Sequence, residues 1–233
     1  MKTIEPVLIT EKNVTLLGGG TICDRLLHDT IVHAPCLVAA DGAAGRALAL
    51  GHRPERVIGD FDSLTAETRA KIPEERLIHV PEQDSTDFEK CLTRVVAPMI
   101  FCVGFTGARI DHELAVYATL TRFPNKRCVI LGAEDVCFMA PPELVLRVER
   151  GQRVSLFPMA AVTGRSKGLR WPIKGLDFAP DGRIGTSNEA VETEVRLEFD
   201  QPGMMVILPR ENCDAELVAR LIAAPDWPDE SSL

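Results

Sequence analysis

Short, continuously apolar runs, each closing on a turn-forming residue and leading into a polar or helix-compatible stretch, constrain this chain more than any other feature. Val14-Thr15-Leu16-Leu17 ends in Gly18-Gly19-Gly20, Cys36–Ala40 ends in Asp41-Gly42, and Val57-Ile58 ends in Gly59-Asp60-Phe61-Asp62-Ser63. Arg76–Val80 is closed by Pro81 and followed by Gln83-Asp84-Ser85-Thr86-Asp87, and Met99–Val103 leads into Gly104-Phe105-Thr106-Gly107-Ala108-Arg109-Ile110-Asp111. Helices are expected over Thr86–Val96 and Asp111–Arg122. Apolar strands without polar alternation, separated by helices, indicate a parallel sheet covered on both faces. Ligands of such sheets bind outside the carboxyl ends of the strands. The glycines, the acids, Gln83 and Arg109 all fall at those ends, which predicts one convergent site.

The chemistry of that site follows from its residue types. Asp60 and Asp62, at i and i+2 on a glycine-led turn, suit a hard divalent cation such as Mg²⁺ carrying a polyphosphate. The competing reading is a turn whose acid or Ser63 caps the next helix. Gly18-Gly19-Gly20 can bring backbone N–H groups close to an anion, or be a plain strand-to-helix turn, since its spacing is neither of the common phosphate-loop patterns. Lys90 lies three residues after Asp87 and on a helix shares its face, either as a point charge for phosphate or as a surface ion pair. Arg109 offers a planar fork for phosphate oxygens. Asp111 is a candidate site acid or a first-turn cap, and His112 a proton carrier or a packing residue.

Composition excludes several classes. Net charge is −8 and the pI is about 5.2, the reverse of a nucleic-acid groove, and aromatic residues make up only 5%, too few for base-stacking platforms. With 45% hydrophobic residues in 233, the chain can bury a sizeable core. The seven cysteines, at 23, 36, 91, 102, 128, 137 and 213, include no CxxC pair. Buried free thiols in a reducing compartment are expected rather than zinc or a disulfide framework. Met1–Pro6 shows no hydrophobic signal region and no apolar stretch is long enough to span a membrane, so a cytoplasmic enzyme of small molecules is expected, without nucleic-acid or membrane partners.

The βα rhythm stops near residue 133. Beyond it come short strand candidates at Val136–Met139, Leu144–Glu149, Arg153–Phe157, Glu192–Phe199 and Met204–Leu208, then a short helix at Asp214–Ala223 and a polar tail, 225–233, expected to fray. The expected fold class is therefore α/β: a parallel-sheet N-terminal nucleotide-binding domain over residues 1–140, followed by a smaller all-β sandwich-like domain over 141–233.

With these blocks in place, the chain resembles the thiamine pyrophosphokinase family. Gly59-Asp60-Phe61-Asp62-Ser63 matches its GDFDS signature, Gln83–Lys90 its DQxxTDFxK block with Glu82 at the first acid, and Gly104–His112 its GxxGGRxDH block. Ala40-Asp41-Gly42-Ala43-Ala44 resembles ADGGA, and Thr186-Ser187-Asn188-Glu189 the Ser-Asn element of the β region. Ala43 and Ala108 depart from the pattern, each standing where glycine is usual. The resemblance implies transfer of diphosphate from ATP to the hydroxyl of thiamine, giving thiamine diphosphate and AMP. It implies a homodimer whose active site is shared between subunits.

Carried over residue by residue, it implies that Asp60, Asp62 and Asp87 hold Mg²⁺ and act in catalysis with Arg109 and Asp111. ATP is then met by Gly18, Gly19, Gly20, Asp41, Lys90, Thr106, Arg109 and Asp111, and thiamine by Gln83, Trp171, Ser187 and Asn188. Read without the resemblance, Trp171 is equally a packing residue and Asn188 a left-handed turn residue. A phosphatase, a diphosphokinase for another alcohol and a non-catalytic nucleotide sensor are the rivals. The intact set Asp41, Asp60, Asp62, Asp87 and Asp111 favours an enzyme.

Overall fold

The structure is a computed structural model, and it describes residues 4–228. Its strands and helices follow one another as β1 (Leu8–Ile9), β2 (Val14–Leu17), α1 (Asp24–His33), β3 (Cys36–Ala40), α2 (Ala43–Ala49), β4 (Arg56–Gly59), α3 (Ala66–Arg69), β5 (Leu77–His79), α4 (Asp87–Arg94), β6 (Val95–Val96), β7 (Ile100–Val103) and α5 (Ile110–Arg122). There follow β8 (Cys128–Leu131), β9 (Asp135–Met139), β10 (Glu143–Arg147), β11 (Arg153–Pro158), β12 (Gly164–Lys167), β13 (Gly185–Glu189), β14 (Glu194–Phe199), β15 (Met204–Pro209) and α6 (Ala215–Ala223). The chain divides into two compact units, one of residues 1–119 with 130–133, the other of 120–129 with 134–233. β9 thus falls in the second unit, although the boundary was expected at residue 140, because it pairs antiparallel with β15 from Asp135–Pro209 to Met139–Met205.

The first unit is α/β. β2 pairs parallel with β7, and β3, β4 and β5 form consecutive parallel pairs. The Thr15 hydroxyl donates to the Ala34 carbonyl at 2.7 Å and Val14 bridges Pro35, which ties β2 to the start of β3. Every residue of β2, β3 and β7 is buried, which explains why these strands show no polar alternation. The carboxyl ends of β2, β3, β4 and β7, where the chain leaves for Gly18, Asp41, Asp60 and Gly104, carry the site. Thr86 caps α4 by accepting from Glu89 N, and the helix stops at Arg94 because Val95-Val96 turn to pair parallel with Leu8-Ile9.

The second unit is β-rich. β13, β11, β15 and β9 run as antiparallel neighbours, and β10, β14 and β12 form a second antiparallel sheet. β14 alternates as its sequence predicts, with Val195, Leu197 and Phe199 buried. The tail does not fray before Trp227. That side chain is buried, its ring N–H donates to the Ala140 carbonyl at 3.1 Å, and its backbone N–H and carbonyl are both held by the Asn125 amide. Residues 229–233 of the expected tail lie outside the described residues. No described helix is long and apolar enough to cross a membrane.

Candidate active site

A cavity of about 490 Å³ opens in the first unit where the β2, β3 and β7 ends converge. Gly18, Gly19 and Gly20 line one side, and Gly104, Phe105, Thr106, Ala108 and Arg109 another. The glycines are there for backbone proximity. A Cβ on Gly18 would stand 2.5 Å from the Gly104 carbonyl oxygen, and one on Gly104, itself at φ +74°, would stand 2.6 Å from that of Gly18. The left-handed turns of this rim fall on Gly104 and Gly107, while Ala43 and Ala108 both avoid positive φ. The two alanines that replace the usual glycines are therefore accommodated without backbone strain.

Beside the cavity three carboxylates converge. Asp41, Asp60 and Asp87 each place an oxygen within 4.8 Å of the other two. Asp41, expected beside the nucleotide, thus stands with two of the three acids expected to hold the cation. Asp62 is exposed, and its backbone N–H donates to Asp60 Oδ1 at 3.3 Å.

Asp41 is held under constraint. It sits at φ +45° and is 1% exposed, its Oδ2 accepts from Phe61 N at 3.0 Å, and its Oδ1 is buried with no hydrogen-bond partner. Gly59 makes room for it, since a Cβ there would stand 2.8 Å from Asp41 Cβ. Burial, then the neighbouring Asp60 carboxylate, pushes the Asp41 carboxyl up to about 6.

Asp60 moves the other way. Gln83 Nε2 donates to its Oδ2 at 2.7 Å and Lys90 Nζ lies 3.2 Å from the same oxygen, so its pKa falls well below the usual carboxylate range. Burial raises Asp87, against the opposing charge of Lys90 at 3.7 Å. Lys90 is not the surface ion pair that its i,i+3 spacing also allowed: it is 2% exposed and lies between two carboxylates.

Arg109 lines the cavity with its fork engaged by Asp111, through Nε–Oδ1 at 3.2 Å and Nη2–Oδ2 at 2.6 Å. Asp111 also accepts from the His112 backbone N–H at 3.0 Å, so it serves as a first-turn acceptor and as the anchor of Arg109 together. His112 lines the cavity as well. Glu82 shapes the approach to α4, taking the N–H groups of Asp84 and Ser85 and the Ser85 hydroxyl, which lowers its pKa.

Among the lining residues given no binding role from the sequence are Arg46 and Ser63. Arg46, on α2, reaches the Ile22 carbonyl and Asp24 while facing the cavity, and Ser63 accepts from Gly42 N at 3.1 Å. Ser63 was signalled by its place in the Asp-x-Asp-Ser turn. Arg46 carried no local signal, because an arginine late in a helix reads as a solvated C-terminal charge.

The remaining expected residues lie in the second unit, with Gln83 in the first. Trp171 is 56% exposed and Asn188 is buried beside it: Asn188 Oδ1 accepts from Trp171 N at 3.2 Å and its Nδ2 donates to Trp171 O at 2.8 Å. Ser187 is exposed at φ +59°, with its N–H donated to the buried Ser155 hydroxyl at 3.0 Å.

Comparison with known proteins places these features in one family. Residues 27–131 match "Thiamin pyrophosphokinase, catalytic domain" and residues 143–204 match "Thiamin pyrophosphokinase, vitamin B1 binding domain". Thiamine pyrophosphokinase 1 of Oryza sativa subsp. japonica is 27% identical over 197 residues, covering 70% of this chain and 75% of that protein. Thiamin pyrophosphokinase 1 of Caenorhabditis elegans is 25% identical over 222 residues, 84% of this chain and 90% of that protein. Among solved structures, thiamin pyrophosphokinase from Geobacillus thermodenitrificans superposes with a TM-score of 0.69 at 24% identity, covering 88% of this chain and 99% of that one. The yeast enzyme gives 0.71 at 17% identity, over 91% and 88%. The two domain matches follow one another along the chain, and the solved relatives share the fold: this chain belongs to the thiamin pyrophosphokinase family.

Proposed function

We propose that this chain transfers diphosphate from ATP to the hydroxyl of thiamine, yielding thiamine diphosphate and AMP. The observation that carries the reading is the carboxylate trio beside a glycine-walled cavity, with the buried Asp41 Oδ1 left without a partner. Such an orphaned oxygen is costly unless a cation completes it. The donor set is all carboxylate oxygen, which fits Mg²⁺. Asp41, Asp60 and Asp87 would hold that ion, and when bound it would offset phosphate charge during transfer.

The rest is positioning. The N–H groups of Gly18–Gly20 and the Arg109 fork would orient the phosphate chain, with Thr106 and Arg46 on the same walls. Lys90 pairs with both Asp60 and Asp87, and Gln83 orients Asp60. Thiamine, a flat cation, is taken by the exposed Trp171 together with Ser187, both within the region matching the vitamin B1 binding domain. A cytoplasmic homodimer with its active site shared between subunits is part of this proposal.

Product analysis tests it. Purified protein with ATP, Mg²⁺ and thiamine should give AMP and thiamine diphosphate in equal amounts. ADP with thiamine monophosphate would instead mean transfer of a single phosphoryl group, and no thiamine product would move the acceptor to another alcohol.

A further inference from the structure

Asn188 is expected from the sequence to meet the acceptor, yet in the folded protein its amide is committed elsewhere. Its oxygen accepts from Trp171 N at 3.2 Å and from Glu189 N at 2.8 Å, and its nitrogen donates to Trp171 O at 2.8 Å. The orientation of the amide is fixed by its partners, because two N–H donors meet the oxygen and a carbonyl meets the nitrogen. Asn188 is 6% exposed.

Its role is continuous with the local backbone. Residues 168–170 are laced antiparallel to 189–191: Leu169 bridges Ala190, Arg170 N donates to Glu189 O and Val191 N to Gly168 O, both at 2.8 Å. The Asn188 side chain extends that lacing by one residue, satisfying both backbone groups of Trp171 where the main chain turns away. Pro172 narrows the conformations of Trp171 further. Arg170 then covers the indole from 5.7 Å and is itself paired with Glu189 at 2.8 Å. The result is a large aromatic side chain, 56% exposed, on an immobilised backbone.

We infer that Asn188 is a positioning residue for the acceptor site: its buried amide clamps the Trp171 backbone so that the indole is presented ready-oriented to a flat cationic ring, and Arg170 and Glu189 steady the clamp. Pre-ordering a stacking surface lowers the cost of binding without touching the ligand. The inference rests on Trp171 belonging to the thiamine site, as proposed above.

Protein labelled with 5-fluorotryptophan tests it, since the chain has two tryptophans and Trp171→Phe assigns their resonances. Asn188→Ala should broaden or shift the Trp171 resonance and leave that of Trp227 in place. It should also raise KM for thiamine roughly tenfold, the scale of one cation–π contact, with kcat and KM for ATP little changed. Asn188→Asp keeps the acceptor but loses the donor to Trp171 O. It should shift the same resonance less, and it serves if the alanine variant does not fold. An unmoved Trp171 resonance with a raised thiamine KM would mean that Asn188 touches the ligand itself and would overturn the clamp. Trp171→Ala with an unchanged thiamine KM would instead remove Trp171 from the acceptor site, a failure of the proposed reading that the fluorine spectrum tells apart from failure of the clamp.

Discussion

Lys90 Nζ lies 3.2 Å from Asp60 Oδ2 on a lysine that is 2% exposed, so the acidic site contains its own buried counter-charge. Desolvating an ammonium is offset only by charged partners this close, and here Asp87 supplies the second at 3.7 Å.

Replacing Lys90 by Met should therefore leave two carboxylates uncompensated and destabilise the metal-free protein by about 3 kcal/mol, the lower end of the range for breaking a buried pair. Mg²⁺ should recover more stability in this variant than in the wild type, because the ion takes over the missing charge. Thermal unfolding with EDTA and with excess Mg²⁺ measures both terms, and an equal Mg²⁺ increment in the two proteins would refute the compensation.

Asp41 predicts a pH dependence of defined sign. Its folded pKa of about 6 lies above the ordinary 3.8, so the folded state holds this proton more tightly than the unfolded chain. Its contribution to stability is complete below about pH 4 and is lost as pH rises through about 6. Asp41→Asn is neutral throughout, so in EDTA its Tm relative to wild type should climb between about pH 4 and pH 7. A constant Tm difference across that window would contradict the assignment. The same variant should be inactive, a gain in stability at the cost of function.

Gly104→Ala should destabilise the chain by about 1–3 kcal/mol, since it combines left-handed backbone with a 2.6 Å approach to the Gly18 carbonyl oxygen. Gly51, at φ +82° with open space around its Cβ position, is the control for backbone strain alone. Denaturant unfolding of both variants separates the two contributions. Equal losses would show that the contact between the β2 and β7 ends adds nothing.

Much of this was legible in the sequence. The buried strands of the first unit announced themselves as apolar runs, and glycines at their ends, with Asp87, line the cavity. What the sequence did not disclose is instructive in physical terms. β12 and β13, Gly-Arg-Ser-Lys and Gly-Thr-Ser-Asn-Glu, are edge strands with little buried side-chain surface, so neither carries a period-2 apolar pattern. Asp41 was recognised as an acid of the site but not as a member of the carboxylate trio, because its convergence with Asp60 depends on the parallel pairing of β3 with β4 and on a left-handed backbone at Asp41 itself. The burial of Trp227 depends on Asn125, a partner 102 residues away, which no local pattern encodes.

The measurement that bears most directly on the account is a Mn²⁺ titration followed by electron paramagnetic resonance, with Mn²⁺ standing in for Mg²⁺, on wild type, Asp41→Asn and Asp62→Asn. If Asp41, Asp60 and Asp87 hold the cation, Asp41→Asn should weaken Mn²⁺ binding by about tenfold or more, while Asp62→Asn changes it little. Undiminished binding in Asp41→Asn, with the loss appearing in Asp62→Asn, would contradict the site described.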